Sequence, residues 1–600
     1  MKAGRNDPCR CGSGRKYKQC CLPRELAAAS PRAESASRTA ASVTHYNRGI
    51  ALHGRGRLDE AIVCYRQAIE LDPALDVAHA NLGNALSTLR RFDEAIPVYQ
   101  RALALRPDNV NTRYNLGVSL QAQGALPEAA SHYRDVIDRR ADHAHARYNL
   151  ANALRDLGHL DDATSAYRAL VALRPDLVEA QVNLGQLLQT AGDVPGAIAC
   201  FRAALERRPG DAGIHNNLGN ALEEAGDAAA ALASYRHAFE LDDTPPLRAN
   251  LARCLRSATP STLDGATRDL LRRAIDESWT RPADLARVAA RAVDRAAELK
   301  GFKHDLLLRS LLVSAPVPDL ALEAALVAAR RALLTTAYTT SADARIDHAT
   351  LEFACALARQ CDINEFVWPI AGDERATVDA LRDRLVHAIA ANESFPSLWL
   401  AACGAYARLA DLPAAEALLS LPWADPVRAL LTQQVAEPLS ESRDRAAIPR
   451  LTDIGDGVSA SVRAQYEQNP YPRWIRAAAP AGTSSFNAWM RVQFPLARFE
   501  ALPDDSQLDV LVAGCGTGQE VVDLARQFPA ASVLAVDLSL ASLAYARRKS
   551  REIGIANVDY SQADVLNAAA IPQTFDVISS VGVLHHLDHP ERGLAALLSR

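Results

Sequence analysis

The 600-residue sequence is poor in aromatic residues, in charge of one sign and in long hydrophobic runs. Aromatics make up 6% of it against 49% hydrophobic residues overall. Its Ala- and Leu-rich composition therefore favours helical layers with small residues at close contacts. A net charge of -5 over such a length argues for neither nucleic acid nor a membrane surface as partner. No stretch reaches the roughly 18 apolar residues of a membrane span. The start, MKAGRNDPCRCG, has basic residues but no apolar run behind them, so no secretory signal is read. The expectation is a cytoplasmic protein. Its length excludes one core and implies several domains. Of eleven cysteines, four fall within the first 21 residues; the other seven are scattered, as reduced core thiols are.

Those four, Cys9, Cys11, Cys20 and Cys21, stand in NDPCRCGSGRKYKQCC. Four thiolates in so short a segment can enclose one zinc tetrahedrally, with Gly12, Ser13 and Gly14 turning the chain between ligand pairs. The NDPC start, the GSG and the KYK resemble the SEC-C motif, a small zinc knuckle. The resemblance implies a closed structural site over residues 1–23, suited to docking; the last ligand, often His in that family, is Cys21 here. Residues 24–42, low in bulky side chains, read as a linker.

A strict period of 34 residues follows. It carries Asn47, Asn81, Asn115, Asn149, Asn183 and Asn217, and likewise Leu52 to Leu222, Ala61 to Ala231, and an aromatic from Tyr65 to Tyr235. Pro73, Pro107, Pro175 and Pro209 close four units, as prolines do beyond a helix. This is identified as the tetratricopeptide repeat, two antiparallel helices per unit stacked into an α-solenoid. Six repeats and a capping helix are expected over 43–258. Small residues such as Gly83 and Ala95 let paired helices approach, and Leu82, Leu86 and Tyr99 fill the seam. Packing does not require the recurrent asparagine, a mediocre helix former. The units resemble those of the O-linked N-acetylglucosamine transferase superhelix. That resemblance implies that the six asparagines line a groove and grip the backbone of a protein or peptide partner. The alternative is that each bonds within its own repeat and stabilises the stack.

Over 259–440 the period vanishes while apolar residues keep helical spacing, which predicts an α-helical middle region; Trp368, Trp399 and Trp423 are read as core. Between 441 and 485, ASVRAQYEQNPYPRWIR crowds Tyr466, Asn469, Pro470, Tyr471, Pro472, Arg473 and Trp474 onto a stiff extended turn. It serves either as a lid over a pocket or as a strap between domains.

LDVLVAGCGTGQEVVDLARQF reads as a buried strand, a glycine turn and a helix. Gly514, Gly516 and Gly518 are spaced G-x-G-x-G, unlike the dinucleotide fingerprint, and a P-loop would need a Lys followed by Ser or Thr. A second strand ends in Asp537 and a third, NVDYSQAD, in Asp564; the fourth, FDVISSVGVLHHL, closes with His585 and His586. The combination GCGTG…VD…AD…VLHHL resembles class I S-adenosylmethionine-dependent methyltransferases. The resemblance implies a Rossmann-like α/β domain over 486–600. Gly514, Gly516 and Gly518 would then let backbone approach the methionine portion of S-adenosylmethionine. Asp537 would bind the ribose and Asp564 the adenine. That family usually has an acid two residues before the first glycine, where this chain has Val512. His585 and His586 are candidate bases by position, although a strand-end histidine also serves packing.

Four strands are legible where such a sheet has seven, so the domain is expected to be incomplete and a poor enzyme as it stands. Two readings result: a methyltransferase whose repeats hold a protein or peptide, or a non-enzymatic repeat scaffold with a relic methyltransferase domain.

Overall fold

The computed structural model describes residues 6–600 apart from 10, 12, 260, 261, 342, 343, 455–457, 469, 471, 472, 480, 481, 484, 495, 504–506 and 588. The side chains of 25–34, 36, 458, 460, 468 and 586 are likewise outside the description. Gly12, Asn469, Tyr471, Pro472 and the His586 side chain therefore lie outside the described residues. The chain forms two compact units, Met1–Gly226 and Asp227–Arg600, taken separately below. Among the described residues no helix is long and apolar enough to cross a membrane.

In the first unit a small hairpin precedes a long helix. Pro8 bridges Lys16 in antiparallel fashion, Cys9 N donates to Arg15 O at 2.8 Å, and Gly14 turns the chain with φ +68°. Cys20 caps and Cys21 opens a helix running to His53. Residues 24–42, expected as a linker, lie inside that helix. The reason is compositional: alanine, the best helix former, recurs through the segment, and a helix needs no bulk to propagate. Near its end Ser42 is buried and donates to Ala68 O at 2.8 Å.

Behind it come helix pairs such as Asp76–Thr88 with Phe92–Leu105, and Val110–Ala122 with Leu126–Arg139. Their seam follows from one exchange of size. A Cβ placed on Gly83 would meet the Tyr99 ring at 2.5 Å, and one on Gly117 the Tyr133 ring at 2.8 Å. Ala151 stands at the equivalent position, and Tyr167 opposite it remains fully buried, so a single methyl is accommodated by ring adjustment but a branched side chain is not. Gly117→Val is expected to cost about 1–3 kcal/mol by overpacking, read as a lower thermal midpoint.

The period also sets the turns. Gly56, Gly124, Gly158, Gly192 and Gly226 all take φ between +75° and +83°, ending each first helix in the left-handed region. Arg90 holds that position in its repeat with φ +60°, at a cost of roughly 1–2 kcal/mol for a residue with a Cβ. Arg90→Gly should therefore raise the thermal midpoint; an unchanged or lower midpoint counts against this account of the turn.

The second unit begins with helices that include Ala228–Leu241 and Pro245–Leu255 and continue to Glu437–Ala447. Their largely apolar interior includes buried polar groups: Gln433 Nε2 donates to Asp362 Oδ2 at 3.0 Å and Arg359 Nε to Gln433 Oε1 at 2.8 Å, and Tyr406 Oη donates to Glu374 Oε1 at 2.8 Å beside the buried Arg330. Trp368 and Trp399 are buried.

After residue 508 the chain forms a parallel sheet of β1 (Asp509–Ala513), β2 (Ser532–Asp537), β3 (Val558–Gln562) and β4 (Val577–Ser579), in the order β3-β2-β1-β4. Alternation along β1 and β2 explains its burial on both faces. Val510, Val512, Val533 and Ala535 pack with Val521 and Leu543, whereas Leu511, Ala513, Leu534 and Val536 pack with Ile571 and Leu597. The fourth strand is shorter than the sequence implies. It ends at Ser579; Gly582 turns at φ +73°, and Leu584–His586 form a 3₁₀ turn. His585 and His586 thus sit in a turn beyond the strand, because the left-handed glycine ends the extended run.

Candidate functional site

Two groups of predicted residues come together inside the first unit. The sulfurs of Cys9, Cys11, Cys20 and Cys21 all lie within 4.8 Å of one another; Cys11 Sγ is 3.4 Å from both Cys9 Sγ and Cys20 Sγ. Thiolates at about 2.3 Å from a shared tetrahedral ion would lie roughly 3.8 Å apart, so the cluster has the dimensions of a four-sulfur metal site. The thiols do not ionise alike. Hydrogen bonds from Ser13 draw Cys11 down to about 6, while hydrogen bonding with Cys9 pushes Cys21 up to about 12.

The asparagine ladder is used within the stack. Asn81 Nδ2 donates to Tyr46 Oη at 3.1 Å and Asn149 Nδ2 to Tyr114 Oη at 3.1 Å. Asn183 Nδ2 donates to Tyr167 Oη at 3.0 Å and Tyr148 Oη at 3.3 Å. In each case one partner hydroxyl belongs to the residue just before the asparagine of the preceding repeat. Where that residue is Ala80, Asn115 turns to Asn84 Oδ1 at 2.8 Å instead. Asn47 is exposed and Asn217 half-buried.

In the second unit the C-terminal ends of the strands surround a cavity of about 590 Å³, whose lining includes Gly514, Gly516, Asp537, Asp564 and His585. The glycine loop is fixed from three sides. Gly514 N and Cys515 N both donate to Val536 O, at 2.8 and 3.0 Å. Asp537 Oδ2 accepts from Gly516 N at 2.8 Å and Oδ1 from Ser539 N at 2.9 Å. Trp474 Nε1 donates to Thr517 O at 2.8 Å. Glycine is required at 514, where φ is +77° and a Cβ would fall 1.9 Å from Val583 Cγ2. Gly518 serves packing instead. A Cβ there would meet Ala546 at 2.6 Å, so its absence allows the helix Gln519–Gln527 to pack on Leu540–Glu552. Burial raises Asp537 above the usual carboxylate range, although the N–H groups of Ser539 and Gly516 pull against it; the negative charge of Glu467 adds to the rise. Asp564 is buried, accepts from Leu566 N at 3.0 Å, and its own N donates to Thr452 Oγ1 at 2.8 Å.

The aromatic and proline-rich segment contributes on both sides of residues 469–472. Before them, the helix Val458–Gln468 gives Val462 and Tyr466 to the cavity wall, and Glu467 accepts from Leu540 N at 2.6 Å at the start of the helix Leu540–Glu552. After them, Trp474 holds the glycine loop and Lys549 Nζ donates to Ile475 O at 2.6 Å. Sequence alone flagged this segment by its crowded rings but not its partners.

The comparisons with known proteins follow the same divisions. A methyltransferase-domain family matches residues 510–599. Tetratricopeptide-repeat families match 80–144, 114–178, 148–212, 182–245 and 49–89. The SEC-C motif matches residues 5–23. The chain is a tetratricopeptide-repeat protein with a SEC-C motif and a methyltransferase domain. An uncharacterized protein of a Synechococcus strain, syc1184_c, is 37% identical over 150 residues, 24% of this chain and 35% of its own. Within the methyltransferase domain, the trans-aconitate 2-methyltransferase of Deinococcus radiodurans is 34% identical over 90 residues, 15% of this chain and 32% of its own. The chain thus spans about a third of the length of these curated relatives. Among solved structures, YrrB, described as a TPR protein with an unusual peptide-binding site, is 22% identical with a TM-score of 0.29 over 30% of this chain and 94% of its own.

Proposed function

We propose that this protein is an S-adenosylmethionine-dependent methyltransferase whose repeats hold a protein or peptide partner and whose four N-terminal thiolates hold zinc. One juxtaposition carries the reading: the glycine loop, Asp537 and Asp564 stand along one edge of a parallel sheet around one cavity. In it, Gly514 and Gly516 admit the cofactor to the backbone, Asp537 accepts from the ribose hydroxyls, and Asp564 accepts from the adenine amine. Bound S-adenosylmethionine brings a methyl group already activated on sulfur. What remains for the chain is to orient the acceptor and exclude water, with Val462 and Tyr466 as walls. Where the acceptor must lose a proton, His585 takes it. In the groove, the ladder asparagines meet a peptide through their Oδ1 atoms, the amide donors of Asn81, Asn115, Asn149 and Asn183 being engaged within the stack.

The test is incubation of the full-length protein with cell extract and an isotope-labelled methyl donor, followed by mass spectrometry. Label in a protein or peptide is expected. Label only in small molecules would remove the groove from the reading. If calorimetry detects no binding of S-adenosylmethionine, the protein is a scaffold with a relic domain.

A further inference from the structure

From sequence, the helical middle region carries no chemistry, and the acid missing at Val512 leaves either a weaker site or a substitute to be found elsewhere. Both gaps meet at one end of the cavity. The strand order β3-β2-β1-β4 sets the functional groups in a row. Asp564 lies beyond β3, Asp537 at the tip of β2 and the glycine loop beyond β1. At the end of β4 comes Ser579, whose hydroxyl donates to Glu520 Oε1 at 2.5 Å. Glu520 lines the same cavity, and so does Arg281, 239 positions upstream of it in sequence. Among the described lining residues Arg281 is the only lysine or arginine.

Arg281 stands at the N-cap of the helix Pro282–Ala292 and reaches the methyltransferase domain, where it hydrogen-bonds Asp523. Three positions after Glu520, Asp523 shares its helix face. The turn bearing Arg281 is stapled in place from that side. Arg476 Nη1 donates to Asp276 O at 2.9 Å, Ala479 N to Ser278 O at 2.8 Å, and Arg526 Nη1 to Ala478 O at 2.7 Å. The Arg281 and Asp523 side chains are 44% and 37% exposed, and an ion pair so open to water contributes little to folding. Stability is therefore a weak reason for an arginine at this point.

Resting on the cofactor reading above, we infer that Glu520 and Arg281 form the subsite for the amino-acid end of the cofactor, Glu520 receiving its ammonium and Arg281 its carboxylate. With Asp537 and Asp564 committed to the adenosyl end, these are the charged side chains left in the lining, and they are of the two signs a zwitterion requires. Glu520 then supplies from the helix the negative charge that Val512 does not supply from the strand. The helical middle region becomes part of the binding site rather than a spacer.

Calorimetry on the 600-residue chain tests this with two ligands that share the adenosyl end. S-adenosylhomocysteine has the amino-acid end and 5′-methylthioadenosine lacks it. Arg281→Met and Glu520→Gln should each weaken S-adenosylhomocysteine roughly tenfold or more, as loss of a hydrogen bond to a charged group does, and leave methylthioadenosine within about twofold. Asp523→Asn, which only releases Arg281 from its neighbour, should retain S-adenosylhomocysteine binding. Equal losses for both ligands, an unchanged Arg281→Met, or an Asp523→Asn that loses binding as Arg281→Met does would each overturn the inference, the last marking the pair as structural. Wild-type protein that binds neither ligand would overturn the cofactor reading itself, and is thereby distinguishable.

Discussion

Asp537→Ala is expected to abolish measurable binding of S-adenosylmethionine, with a loss of about 100-fold or more. The carboxylate has two roles in the proposed site. It is the acceptor for the ribose, and it already holds the glycine loop through Gly516 N and the start of the next helix through Ser539 N. Hydrogen bonds to a charged group are each worth about 1.5–3 kcal/mol, so removal of the ribose contacts alone reaches that range, and release of the loop adds to it. Asp564→Ala, which leaves the loop anchored, should cost less. Calorimetry on the folded variants measures both; a smaller loss for Asp537→Ala than for Asp564→Ala would contradict the double role.

The same residue gives the site a pH dependence of definite sign. Asp537 is raised above the ordinary carboxylate range, chiefly by burial. Binding uses its ionised form, so affinity should decline as pH falls towards the raised value. Its effect on folding has the opposite sign. A raised acid stabilises the folded state most at low pH, and that contribution is lost as pH rises through the folded value. The ionised carboxylate is therefore held at some expense to stability, which a bound ribose offsets. Asp537→Asn should flatten the pH profile of affinity while weakening binding throughout.

The repeats were legible because each unit reuses the same contacts, so Gly83 against Tyr99 and Gly117 against Tyr133 appear as one period. The glycines and the two acids at the sheet edge were legible for a related reason: strand ends are marked locally by the change from apolar run to glycine or aspartate. What escaped has no local mark. The donors of Asn81, Asn149 and Asn183 go to tyrosines, whereas other units hold Ala80, Val182 and Asn216 at the same repeat position, and only the stack shows which asparagine meets a hydroxyl. Arg281 lies 242 residues from Asp523, and the polar core of the middle region joins residues more than 70 apart. The long first helix was missed for another reason, since alanine and serine without bulk satisfy both a tether and a helix, and contacts such as that of Ser42 with Ala68 decide.

Cys11→Ser is expected to reduce the zinc content of purified protein from about one ion per chain to near zero, with little change in the unfolding of the repeats. The first half follows from the sulfur geometry. A site closed by four thiolates has no spare ligand, and Cys11 is the member in contact with both Cys9 and Cys20. A hydroxyl in its place is a poor ligand for zinc, and structural sites of this kind gain about 10–16 kcal/mol from the metal at neutral pH. Because the thiols must shed protons to bind, metal occupancy should also fall as pH is lowered. The second half follows from how the hairpin is built. The described part of the hairpin is held by backbone hydrogen bonds that include Cys9 N to Arg15 O and Tyr17 N to Asp7 O, and so short a segment buries too little to fold without a staple such as a metal. The repeats are held instead by their own glycine and aromatic seams, so the loss should remain local. Elemental analysis and amide hydrogen exchange check both halves together: zinc is lost and protection disappears over residues 6–20, while the helices from Leu58 onward keep theirs. Retention of the metal by Cys11→Ser would remove that thiol from the ligand set.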